Sequence, residues 1–227
     1  MPEARIISIG SLDAHPLWDE RAPVRSGHAT TTLVRTSDLV LLVDPGLPGE
    51  IMTARLKERA NLEPSDITHV FLTSFRPDLR RALPLFDGAT WWISEAEREA
   101  VGVPMIATIQ EADEAGDEET KAVIAREVAL LQKTQAAPDH LAPGVDLFPL
   151  PGVTPGLAGL LIPESRHTLL IAGDAIPTFE HLEQGVVPRW AAEPEQAKES
   201  FMEGVEIADL IIPGRDNLLV NPARSPF

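Results

Sequence analysis

Short runs of β-branched and apolar residues recur along the chain, each closed off by glycine, proline or charge. The runs at 5–10, 31–35, 39–43, 69–73, 90–93, 146–150, 159–162, 168–172 and 210–212 have the length and composition of strands. Between them, apolar residues return at helical spacing. Met52, Leu56 and Ala60 stand at i, i+4 and i+8, Ile124, Val128 and Leu131 at i, i+4 and i+7, and Ala197, Phe201, Val205 and Ala208 again share one face. Each stripe predicts a helix lying on a sheet. Pro194 suits the first position of the last one, where its missing N–H has no intrahelical partner to lose. Strands in runs, interrupted by single helices, predict an α/β fold of two sheets packed face to face with helices outside.

The segment from Glu95 to His140 breaks this rhythm. It carries the acidic run EADEAGDEETKAV ahead of an amphipathic helix for which Asp117 is the expected N-cap. We read 95–140 as a helical acidic insertion within a single domain spanning 1–227. Its apolar stripe offers a surface that could cover a cleft or meet a second copy, so a homodimer is one expected partner arrangement.

Composition narrows the chemistry. The absence of cysteine removes disulfides, thiolate metal sites and a cysteine nucleophile, leaving histidine and carboxylate chemistry. A net charge of −16, with no Lys/Arg-rich block, would repel a phosphate backbone, so nucleic acid is not an expected partner. No segment approaches the roughly 20 apolar residues of a membrane span, and the charged N-terminal stretch has no apolar h-region. The expectation is a cytoplasmic protein with no membrane partner.

Five turns at strand ends carry the candidate chemistry. "VFLTSFRPDLRR" leaves a buried strand and at once presents Arg76, Asp78, Arg80 and Arg81. "VDPGLPGE", "LPGVTPGLAG", "LLIAGDAIPT" and "LIIPGRDN" each join glycine or proline to the end of an apolar run. Glycine there allows close backbone approach, and Asp44, Asp174 and Asp216 would be aimed at a common rim.

In order and spacing these turns resemble those of the metallo-β-lactamase fold superfamily, over about Arg25 to Asn217. The family's His-x-His-x-Asp-His pattern falls on Ser74, Phe75, Arg76, Pro77, Asp78 and Leu79. Its PGHTPG turn falls on Pro151 to Gly156, its GDA turn on Gly173-Asp174-Ala175, and its final PGH turn on Pro213-Gly214-Arg215. The resemblance implies an αββα four-layer sandwich of two mixed β-sheets. It also implies one zinc held from positions 74, 76 and 153, a second from 78, 79 and 215, and a bridging Asp174. Here Ser74, Arg76, Leu79, Val153 and Arg215 stand where five histidines are expected, and only Asp78 and Asp174 remain of the seven ligands.

Two carboxylates make a poor zinc site, and arginines, which stay charged at any working pH, repel a cation. No metal and no cofactor is therefore expected. Burying the two acids without counter-charge would be costly, so the arginines should pair with them, Arg215 with Asp78 and Arg76 with Asp174. No catalytic residue is assigned. Ser74 is a candidate nucleophile with His28 or His181 as base, yet no nucleophile elbow accompanies it. His28 and His181 lie in turns next to the site loops and are possible ligand-binding residues. The leading reading is a pseudoenzyme that binds a small molecule or protein in the former active-site cleft. The alternative is a hydrolase of an ester or phosphoester that uses an atypical metal or none. A third reading is a structural subunit.

Overall fold

The computed structural model describes residues 2–224. Twelve strands form two six-stranded sheets. The first contains β1 (Glu3–Ser8), β2 (Thr31–Arg35), β3 (Val40–Val43), β4 (His69–Leu72), β5 (Thr90–Ile93) and β6 (Thr134–Ala136), side by side in that order. β1, β2 and β3 pair antiparallel, and β3 to β6 run parallel. The second sheet contains β7 (His140–Ala142), β8 (Val145–Pro149), β9 (Ala158–Pro163), β10 (Thr168–Gly173), β11 (Leu210–Pro213) and β12 (Leu219–Val220). Only β10 and β11 pair in parallel there. Both sheets are thus mixed. The parallel steps need crossovers, supplied by α1 (Gly49–Ala60) between β3 and β4 and by α5 (Pro194–Ile207) between β10 and β11.

Side-chain alternation along each strand sorts the apolar residues into three cores. Leu41 and Val43 of β3 and Phe71 of β4 point between the sheets, where they meet Leu160, Ile162, Leu169, Ile171 and Ile212. The alternate residues Leu42, Val70 and Leu72 pack outward against Met52 and Leu56 of α1. On the far side, Leu170, Ala172 and Ile211 receive Ala197 and Phe201 of α5. The layers therefore run helix, sheet, sheet, helix. Each fully buried side chain such as Phe71 or Leu42 contributes about 1.5–3 kcal/mol relative to an exposed one.

The acidic segment is a pair of helices, α2 (Glu95–Ala115) and α3 (Glu118–Lys133), which leads back into the first sheet through β6. Asp117 caps α3, accepting from the Thr120 amide at 3.0 Å, and Ser94 caps α2. A short helix, α4 (Phe179–Gln184), follows the GDA turn. No helix among the described residues is long and apolar enough to cross a membrane.

Candidate functional site in the interstrand cleft

Strand-end turns far apart in sequence meet at one end of the two sheets. The Thr30 amide donates to the Gly214 carbonyl at 2.7 Å, and the Ala158 amide to the Thr73 carbonyl at 3.1 Å, which ties the second sheet to the first. Close packing of the turns demands glycine at two positions. A Cβ on Gly214 would lie 2.5 Å from Oδ1 of Asp174, and one on Gly173, whose φ is +55°, would lie 2.7 Å from Oγ1 of Thr73.

Arg215 is the centre of the site. Its side chain is 2% exposed; Nε and Nη2 donate to the two oxygens of Asp174 at 2.8 and 2.7 Å, and Nη1 donates to Asp78 at 2.5 Å. Burial alone would lower the guanidinium pKa, but the two carboxylates outweigh it and raise it further. For Asp78, burial pushes the carboxyl up, while Arg215 and then Arg76 outweigh that and hold it below the usual range. Two planar carboxylates on one planar guanidinium form a charge-assisted network in which each of its three nitrogens donates to a carboxylate oxygen.

Arg76 forms the expected ion pair with Asp174 only at long range: its Nε lies 3.9 Å from Asp174, whose two oxygens Arg215 holds, and 3.4 Å from Asp78. The Arg76 guanidinium also rests over Trp190, 5.5 Å from the ring centroid, with about a third of the side chain exposed. These residues line a cleft of about 450 Å³ together with Leu12, Asp13, Pro77 and Arg81.

The other positions of the former ligand set are closed. Leu79 and Val153 are 1% and 2% exposed, and Val153 belongs to the core beneath α5. Ser74 is fully buried, and its hydroxyl has no hydrogen-bond partner among the described residues, so neither His28 nor His181 serves it as a base. His28 is turned away from this cleft. Its backbone pairs with Ser11, and its ring nitrogens lie 3.2 and 3.1 Å from the carbonyls of Ser26 and Ile9, beside a separate cavity lined by Ile6, Ile51 and Arg55. His181 is buried beneath the cleft, with Nδ1 2.9 Å from Oγ1 of Thr178; burial, helped by His15, pushes its pKa down to about 4.

The expected common rim of acids also resolves differently. Asp44, at φ +48°, turns inward and takes the Thr73 amide at 2.9 Å and the Thr73 hydroxyl at 2.7 Å. Complete burial raises its pKa to about 7 against the pull of those hydrogen bonds. Asp216 accepts from the Phe179 amide at the start of α4. Only Asp78 and Asp174 meet in the cleft.

Three supporting residues were missed in the sequence. Glu97 of α2, 1% exposed, accepts from the Phe75 amide at 3.0 Å, the Thr154 hydroxyl at 2.6 Å and the Gly156 amide at 3.1 Å, joining two turns of the former ligand set. Arg80 is buried, donates to the Phe75 carbonyl at 3.0 Å and pairs with Glu127 of α3. His15 is buried, stacks on Trp18 at 4.2 Å, and has Nε2 3.1 Å from both Thr178 and Glu180. It thereby fastens the 11–28 segment beside the cleft. The S/T-x-x-E spacing of Ser94 and Glu97 was the one sequence signal for Glu97, and it reads equally well as an ordinary capping box.

Among the described residues, no group of three or more His, Cys, Asp or Glu side chains could hold a metal ion. The sequence model of the metallo-β-lactamase superfamily matches residues 24–75. No curated protein sequence matches the chain. Solved structures do. A metallo-β-lactamase candidate from Thermotoga maritima superposes with a TM-score of 0.68 at 19% identity, covering 96% of this chain and 99% of that one. A variant of AiiA from B. thuringiensis, with N-decanoyl-L-homoserine bound at its active site, gives 0.65 at 21% identity, covering 95% and 92%. AidC, a dizinc quorum-quenching lactonase, gives 0.60 at 20%, covering 78% and 67%. With the expected turns in order and four layers in place, the chain has the metallo-β-lactamase fold, and the superfamily's sequence model matches its residues 24–75.

Proposed function

We propose that this is a metallo-β-lactamase-fold protein without a dinuclear zinc centre, a pseudoenzyme whose cleft binds a small ligand or a protein partner. The observation that carries the reading is Arg215, whose guanidinium takes both oxygens of Asp174 and one of Asp78. Zinc asks for about four N, S or O donors, with imidazole or thiolate prominent. The residues here do not fit it: two carboxylates already committed to a fixed cation, with leucine, valine, serine and two arginines at the remaining positions. An internal cation that cannot lose its proton supplies the counter-charge that the two carboxylates need.

The structural neighbours named as lactonases favour a second reading, a hydrolase of an ester or lactone. Metal analysis of the purified protein, paired with hydrolysis of an N-acyl homoserine lactone with and without added Zn²⁺ or Mn²⁺, separates the two. The first reading expects sub-stoichiometric metal and no turnover under either condition. Stoichiometric metal with metal-dependent turnover establishes the second.

A further inference from the structure

We infer that the cleft is a receptor for a small monocarboxylate with a flat apolar body, held by the outer edge of Arg76 and packed against Trp190. This rests on the reading of the cleft as a ligand site without zinc. Of the arginines lining it, Arg215 is 2% exposed and committed to Asp174 and Asp78 through three of its N–H groups. Arg76 differs. Only its Nε is used, weakly, at 3.4 Å from Asp78, and neither Nη has a hydrogen-bond acceptor among the described residues. Cζ of Arg76 lies over the Trp190 ring, 5.5 Å from its centroid, and the two free Nη groups form one edge of the planar guanidinium. That geometry matches the two oxygens of a carboxylate.

Charge selects the class of anion. Across the cleft and its floor, Arg76, Arg81 and Arg215 face Asp13, Asp78 and Asp174, a balance of no net charge. Arg81 is exposed and donates one Nη to the Gly27 carbonyl at 2.8 Å, and one oxygen of Asp13 accepts from the Ala14 amide at 2.7 Å. A monoanion disturbs this balance least. A phosphate dianion adds twice the charge and would sit close to Asp13 and Asp78. Leu12, Pro77 and Trp190 supply apolar walls, and the volume of about 450 Å³ suits a small organic molecule.

The test is calorimetric titration of the full-length, metal-analysed protein with benzoate, its uncharged isostere benzamide, and inorganic phosphate. Benzoate should bind saturably at one site, with benzamide and phosphate each at least about tenfold weaker, the scale of a charged hydrogen-bond pair. Arg76→Gln should weaken benzoate by about tenfold or more with an unchanged melting temperature, and Arg81→Gln should weaken it less because that side chain is exposed. Equal binding of benzoate and benzamide, tighter binding of phosphate, or an Arg76→Gln protein that binds benzoate like the parent overturns the inference. Metal-free protein that refuses benzoate overturns it while leaving the zinc-free reading intact. Stoichiometric metal in the same sample overturns both.

Discussion

Where the superfamily pattern sets one metal, among positions 78, 79 and 215, this chain has a buried guanidinium locked by three short contacts. Where it sets the other, among 74, 76 and 153, two side chains are sealed in the core and the third is an arginine open to the cleft. The difference follows the acids. Asp78 and Asp174 remain, and a buried carboxylate needs a cation, so the half that kept them acquired Arg215. The other half kept no acid of its own. The positions where the superfamily pattern sets histidines hold serine and valine, which need no counter-charge, and Arg76, which is free to face outward. One half is closed by an ion-pair network and the other opens to the cleft.

The largest effect should come from breaking the closed half. Arg215→Met strands the buried Asp174 and leaves the partly exposed Asp78 with Arg76 alone, and we expect a loss of about 3–5 kcal/mol in denaturant unfolding. Adding Asp78→Asn and Asp174→Asn to that variant should recover part of the loss, since removing both partners costs less than removing one. A loss in the single variant no larger than that of Arg76→Gln would erase the contrast between the halves.

Glu97 comes next, because it joins the turns that carry positions 75 and 154–156. Glu97→Ala leaves three donors without their acceptor and should cost about 2–4 kcal/mol, seen as a lower unfolding midpoint. An unchanged midpoint would mean the two turns hold their places without it.

The pH dependence then separates two buried groups of opposite sign. Asp44, raised to about 7, keeps its proton in the fold while the unfolded chain has lost its own, so stability falls as pH rises from about 4 through 7. His181, lowered to about 4, stays neutral in the fold while the unfolded chain takes up a proton, so stability falls as pH drops from about 6.5 to 4. Unfolding measured across this range should therefore show that Asp44→Asn, whose amide can still donate to the Thr73 hydroxyl, retains only the acid-side decline. His181→Gln should retain only the decline toward neutral pH. Variants whose profiles run parallel to the parent would rule out both assignments.

The smallest effect belongs to the open half. Arg76→Gln should change stability by at most about 1 kcal/mol, since a side chain this exposed gains little from its 3.4 Å ion pair. A loss of several kcal/mol would place Arg76 in the structural cluster instead.

Nine of the twelve strands were legible because each is an apolar run with its own turn signals, and β2 and β5 coincide with their expected bounds. β6, β7 and β12 were not. They are two or three residues long, too short to show an alternation of their own, and are strands only because a neighbour supplies the hydrogen bonds. The turns located the cleft, since glycine and proline at strand ends leave a strong local mark. Partner choice within it was not local. That Arg215 reaches Asp174 as well as Asp78 depends on which acid lies deeper, and nothing within 41 residues of sequence separation records that. Glu97 was hidden for the opposite reason, because an acid in an acidic segment looks like surface. His28 was misplaced because a turn next to the site loops can send its side chain to either side.

The central claim is that a guanidinium stands where the superfamily pattern sets metal ions. Crystals grown with excess zinc and measured across the zinc absorption edge test it most directly. The account predicts no anomalous peak between Asp78 and Asp174, with Arg215 forked on Asp174 as described. A strong anomalous peak bridging the two carboxylates, with Arg215 and Arg76 swung outward, would contradict it and restore the hydrolase reading.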